Sequence, residues 1–186
     1  MNLFASIVFA LIAAQPTPPA QPKPSINPPA EVAADPANRL SLQLSNGGTV
    51  VIQLRPDAAP MHVQRIQALV RQGFYDGTAF HRVVPGFMAQ GGDPTGTGEG
   101  GSKLPDLKAE FNSLPHLRGT LAAARTADNP DTANSQFYIM FAPDGSLNGQ
   151  YTVFGRVISG MDTVDKIAPG EPPANPTRIV RATLGG

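Results

Sequence analysis

Arg82 is the residue whose surroundings invite a chemical reading. Residues 80–93 run FHRVVPGFMAQGGD, so one guanidinium and one side-chain amide, Gln90, sit among Phe80, Val83, Val84, Phe87 and Met88 before a glycine pair at 91 and 92. Burying an arginine without a partner is costly. Arg82 and Gln90 sharing a concave face with Phe87 and Met88 would form a binding site whose working part is a permanently charged hydrogen-bond donor beside an apolar wall. The same pattern also fits a half-buried strand that turns Arg82 to solvent. Periodicity does not separate the two readings.

Other chemistries find little support along the chain. The segment GTGEGG at 96–101 has the G-x-G-x-x-G spacing of a dinucleotide loop, but no strand leads into it and no helix opens after it. Ser102 rather than a lysine follows Gly101, so the phosphate-loop pattern fails as well. Its glycines instead predict a mobile surface loop bordering the site. His62, His81 and His116 lack metal-ligand spacing, and there is no G-x-S-x-G nucleophile motif for any of them to serve. His81, adjacent to Arg82 in a strand, should point to the opposite face as a structural residue. Asp93, Glu99, Asp106 and Glu110 lie in loop-like sequence, where a solvated carboxylate is a better reading than an acid–base pair. The chain has no cysteine, which removes disulfides, thiol catalysis and thiolate metal sites. No metal and no cofactor is implied.

The elements that must position these residues begin after a long leader. Residues 3–14 are an uncharged apolar run, too short for a spanning helix of about 20 residues. Residues 1–14 read as the h-region of an export signal, placing the protein in the periplasm or cell envelope; an uncleaved N-terminal membrane anchor is the alternative. Residues 15–38 contain eight prolines and few charges, which predicts an extended, semi-rigid linker. The remaining 39–186 are enough for one domain. With 14 basic and 14 acidic residues the net charge is zero, so no electrostatic field favours nucleic acid, and partners must be recognised locally.

Within 39–186 the pattern is mainly β. RLSLQL (39–44) and TVVIQLR (49–55) flank Asn46-Gly47, a strong hairpin signal. A helix is predicted over 57–72, capped by Asp57, with Pro60 in its first turn, Val63, Ile66 and Val70 on one face, and Gly73 as its stop. Strands follow at 79–84 and 87–90, bent at Pro85-Gly86, and again at 119–125, 136–142, 151–158 and 177–184, with a short helix over 160–168. About eight short strands with one-sided patterning predict a closed antiparallel barrel, since closure removes the edges; a sandwich fits the same count.

Taken together, FHRVVPGFMAQGGD, the glycine-rich loop, Phe111-Asn112, GTLAAAR (119–125), NSQFYI (134–139), LNGQYTVFGRV (147–157) and Gly160-Met161 resemble a cyclophilin-type peptidyl-prolyl cis/trans isomerase over residues 39–186. The resemblance implies an eight-stranded antiparallel barrel capped by two α-helices, a monomer, and a groove on the outside of the barrel that takes proline-containing polypeptides. It makes Arg82 the catalytic arginine and Phe87, Met88, Tyr138 and Leu147 the apolar pocket for the substrate proline. Gln90 and Gln136 become polar groove positions. Arg125, whose main chain would contact the peptide, stands where many members have asparagine, and Tyr151 replaces a histidine. Ser146 stands where the animal forms carry tryptophan, so cyclosporin binding is expected to be weak at most.

The implied chemistry makes no covalent bond. Rotation about an X-Pro amide faces a barrier of about 20 kcal/mol. As the amide twists, the prolyl nitrogen regains a lone pair, and a donor aimed at it binds the transition state better than the planar ground state. Arg82, fixed by Gln90, would be that donor. A non-catalytic proline-peptide binding module or holdase would use the same groove without the rate enhancement.

Overall fold

The structure, a computed structural model, describes residues 25–185. The apolar run read as an export signal and the first part of the proline-rich linker lie outside the described residues. Among the described residues no helix is long and apolar enough to cross a membrane.

Alternation builds the sheet. In β1 (Arg39–Leu44) and β2 (Thr49–Leu54), Leu40, Leu42, Leu44, Val50, Ile52 and Leu54 are all buried. The two strands pair antiparallel across the turn at Asn46-Gly47, where Gly47 takes φ 91°. The later strands are β3 (Arg82–Val84), β4 (Met88–Gly91), β5 (Thr120–Ala123), β6 (Phe137–Met140), β7 (Val153–Ser159) and β8 (Ile179–Leu184). All eight belong to one antiparallel sheet in the order β3-β4-β6-β5-β7-β2-β1-β8.

The expectation of a closed barrel needs correction, because the curled sheet keeps two edges: β3 and β8 form no ladder with each other. On its free side β3 bridges Gly170 through Val83, and the backbone ahead of it meets the start of β8 instead, with Ala79 bridging Arg178. Phe80 N–H donates to Thr177 O and Ile179 N–H to Thr78 O, both at 2.9 Å.

Among the described residues three α-helices accompany the sheet, where two were expected. The long one, α2 (Pro60–Arg71), buries Val63, Ile66, Leu69 and Val70 and packs on β8 and β7. Its start is not capped by Asp57, whose carboxylate is held by Arg55 Nε and Nη2 at 2.8 and 2.7 Å. Glu110 serves the helix start instead: its carboxylate accepts from Met61 N–H at 3.1 Å and His62 N–H at 2.9 Å, and contacts His62 Nδ1 at 2.6 Å. A carboxylate at a helix N-terminus satisfies orphan amides and complements the dipole. The short α3 (Met161–Val164) follows Gly160 and ends earlier than the predicted 168.

The additional helix, α1 (Ala30–Ala34), falls in a proline-free window of the stretch read as a linker. Residues 25–38 do not stand off the domain but lie against β2 and α2. Arg55 donates to Ile26 O and Ser25 O at 3.0 and 2.8 Å, Gln53 Nε2 to Val32 O at 3.2 Å, and Gln67 Nε2 to Ala37 O at 2.9 Å.

Buried apolar residues fall into two clusters, one on each side of the sheet. The larger, with Leu42, Ile52, Leu69, Phe80, Ile139 and Phe154, is the core under α2. The smaller is formed by Met88, Leu114, Ala122, Tyr138, Met140 and Val153, with Phe87, Leu147 and Tyr151 packed against it.

Candidate active site

Strand register assembles the site. Arg82 on β3 lies opposite Gln90 on β4, Gln90 lies opposite Tyr138 on β6, and Tyr138 lies opposite Ala122 on β5. Residues directly opposite in a ladder face the same side, so this row of four shares the outer face with the smaller cluster. The neighbouring row, Val83, Ala89, Ile139 and Leu121, faces the main core. Both readings of Arg82 therefore contain part of the answer. The side chain is on the exposed side of a half-buried strand, 44% accessible, and that side is the concavity.

A cavity of about 290 Å³ opens here, lined by Arg82, Phe87, Met88, Gln90, Ala124, Arg125, Tyr138, Leu147 and Tyr151. Of the catalytic and substrate-binding residues that the resemblance implies, all but Gln136 lie in this lining. Gln136 borders the adjoining cavity of about 590 Å³, which shares Gln90, Ala124 and Arg125 with the first. The turn at Pro85-Gly86, with Gly86 at φ 74°, delivers Phe87 and Met88 to the floor. A 3-10 turn, Gly145–Leu147, capped by Asp144 through Ser146 N–H at 2.9 Å, delivers Leu147 to the wall.

Tyr138 is held from behind by His116, a residue that no local pattern in the sequence marks. The ring of His116 is almost wholly buried, with Nε2 3.1 Å from the Tyr138 hydroxyl and Nδ1 3.1 Å from Asn148 Oδ1. That amide oxygen also accepts from His116 N–H, so it is an acceptor and Nδ1 carries the proton. Nε2 then accepts from the tyrosine. Burial pushes the His116 pKa below its ordinary value, against the raising effects of Asn148 and Asp144, which favours this neutral form. Burial likewise raises the Tyr138 phenol, which therefore stays protonated as the donor. Tyr138 meets Tyr151 edge to face at 5.8 Å, and the Arg125 guanidinium lies 4.5 Å from the centre of the Tyr151 ring. Arg125 also donates to Gln150 O, Thr126 O and Ala127 O. Its side chain thus ties two loops together at the rim.

The polar side of the groove is arranged differently from the expectation that Gln90 fixes Arg82. Gln90 Nε2 donates to Gln136 Oε1 at 2.8 Å, and Gln136 Nε2 donates to Gly98 O and Gly100 O, each at 2.8 Å. Arg82 Nε is held instead by Glu171 Oε2 at 2.7 Å.

The glycine-rich loop is pinned where a mobile one was expected. Asp93, read as a solvated acid, is buried at its base and accepts from the amides of Thr95, Gly98 and Gly100 at 2.7, 2.6 and 3.2 Å. Burial opposes the charge on Asp93, but these bonds and the Thr95 hydroxyl outweigh it and lower its pKa to about 2. A Cβ on Gly100 would overlap this carboxylate, so glycine is required for the close approach. The spacing of Asp93 and Thr95, typical of side chains that close turns on their own backbone, was the signal available in the sequence. His81 is buried beneath the loop while Arg82 is exposed, as alternation predicts.

This sheet and groove define the family. Residues 39–184 match the model of the cyclophilin type peptidyl-prolyl cis-trans isomerases, and the chain belongs to that family. It is 51% identical over 168 residues to a probable peptidyl-prolyl cis-trans isomerase of Brucella suis, covering 82% of this chain and 85% of the relative. Among solved structures it resembles a cyclophilin from Hirschia baltica, with TM-score 0.74 and 30% identity over 81% of this chain and 74% of the other. A Cryptosporidium parvum cyclophilin-type isomerase, determined in the presence of the dipeptide Ala-Pro, gives TM-score 0.73 and 29% identity over 80% of this chain and 99% of the other.

Tyr138→Phe keeps the ring but leaves the buried His116 Nε2 without its donor. Chemical denaturation should show a loss of about 1–2 kcal/mol, while turnover of a proline peptide stays within about twofold. A tenfold loss of turnover at unchanged stability would contradict this division of roles.

Proposed function

We propose that this protein accelerates cis/trans rotation about X-Pro bonds in flexible polypeptides by aiming the Arg82 guanidinium at the prolyl nitrogen of a proline held in the 290 Å³ groove. The observation that carries the reading is the register row: a cation whose Nη groups donate to no described residue stands at the end of a floor made by Met88 and Tyr138, with Phe87 and Leu147 around it. The pyrrolidine ring fills this floor while the acyl side of the bond turns. Gln90 and Gln136, linked to each other and to the glycine-rich loop, line the groove on the acyl side, and the main chain of Arg125 contacts the peptide.

Planar amides are more polar than twisted ones and gain more from water, so an apolar floor that excludes water lowers the barrier from the ground-state side. Arg82 lowers it from the other side, by bonding to the nitrogen lone pair that appears only on twisting. Each 1.4 kcal/mol of such preference is worth a factor of ten in rate. No proton moves and no covalent bond forms.

The wider assignments belong to the same proposal. Residues 1–14 act as an export signal and 39–186 as the isomerase domain of a monomer working on periplasmic or envelope proteins; the apolar run at 3–14 supports this address. Cell fractionation that found the protein only in the cytoplasm would reject it. Ser146, an exposed small residue at the rim, supports weak cyclosporin binding, which an inhibitor titration of the exchange assay reads directly.

The test of function is exchange spectroscopy on a short X-Pro peptide. Arg82→Ala should fold, retain peptide affinity within a few fold, and lose at least 90% of the exchange enhancement, about 1.4 kcal/mol or more. Near-wild-type exchange in the folded variant would reject the mechanism. Binding without faster exchange in the wild-type protein would mark a non-catalytic binding module.

A further inference from the structure

Only one of the three guanidinium nitrogens of Arg82 has a partner among the described residues. Nε donates to Glu171 Oε2 at 2.7 Å, and neither Nη donates to a described residue. The pairing is built into the backbone. Val83 and Gly170 exchange both main-chain bonds, Val83 N–H to Gly170 O at 2.8 Å and Gly170 N–H to Val83 O at 3.0 Å. The bridge is antiparallel, so Glu171 lies directly opposite Arg82 and extends the register row by one position beyond β3.

The loop that presents Glu171 is itself constrained. Ala168 N–H donates to Thr177 Oγ1 at 3.1 Å and closes its base, while Pro172, Pro173 and Pro176 fix three φ angles within it. Gly170 sits at φ 141°, and a Cβ there would come within 2.6 Å of Pro173 Cα, so the tight path depends on glycine.

We propose that Glu171 is a positioning residue for the reaction, a role that rests on Arg82 being the donor to the twisting amide. A guanidinium on a flexible stem rolls and swings; a carboxylate on Nε fixes its plane and leaves the Nη edge to face the groove. Glu171 is not among the residues that line the pocket, and its side chain meets that lining at Arg82. It acts through Arg82. Both side chains are about half exposed, 44% for Arg82 and 53% for Glu171, so the ion pair is weak and its kinetic effect correspondingly modest.

The experiment compares the full-length wild type, Glu171→Ala, Glu171→Gln and Arg82→Ala in the same peptide exchange assay, with the Arg82 Nε–H followed by NMR. Glu171→Ala should lower kcat about two- to fivefold at a KM within about 1.5-fold, with an unchanged unfolding midpoint and faster water exchange of the Arg82 Nε–H. Glu171→Gln retains a carbonyl acceptor and should recover at least half of the lost kcat. An unchanged kcat in Glu171→Ala would overturn the inference. So would a rise, which would make Glu171 a competitor for Arg82 rather than its support. Those outcomes leave Arg82 in place as long as Arg82→Ala is inactive; an active Arg82→Ala would remove the reading on which the inference rests.

Discussion

The register between β3, β4, β6 and β5 is the constraint on which this molecule depends. It puts Arg82, Gln90, Tyr138 and Ala122 in one line across four strands and sends the adjacent line, Val83, Ala89, Ile139 and Leu121, into the core. Side chains alternate with period two, so a slip of one residue in any of these pairings would exchange the two sets. Val83, Ala89, Ile139 and Leu121 are almost wholly buried, and the cost of exposing them keeps the outer row in place. Core packing thereby specifies the geometry of the groove although none of these four residues lines it.

The two faces of the sheet do different work. The inner face closes a core under α2. The outer face carries a second, smaller apolar cluster left open to solvent at one end, and an apolar concavity edged by a few oriented polar groups is a favourable arrangement for a small ring on a peptide. Polar neighbours hold its edges from outside: His116 behind Tyr138, Asp93 beneath the glycine-rich loop, and Arg125 across two loops. None of these groups needs to change protonation for the groove to keep its shape.

Much of the fold was legible because it rests on local pattern. Alternation marked the strands, Asn46-Gly47 marked the first hairpin, and Val63, Ile66 and Val70 marked the buried face of α2. The groove residues were reached through resemblance, since no spacing rule relates position 82 to positions 138 and 147. What was missed depends on distance along the chain. Glu110 reaches α2 from 48 residues away, Glu171 reaches Arg82 from 89, and His116 reaches Tyr138 from 22. Closure of the barrel was inferred from the strand count, but β3 bridges Gly170 on its free side, and loop backbone links the edges where a ladder was expected. The helix at Ala30–Ala34 was hidden by the prolines on either side of it.

In the proposed mechanism a planar, multi-donor cation at position 82, and not positive charge alone, speeds the rotation. Exchange within the bound complex, measured by NMR on a saturating X-Pro peptide, tests it in Arg82→Lys, which keeps the charge but loses the fork. Affinity should stay within about threefold of wild type while bound-state exchange slows at least tenfold, the equivalent of about 1.4 kcal/mol. Bound-state exchange at the wild-type rate would contradict it.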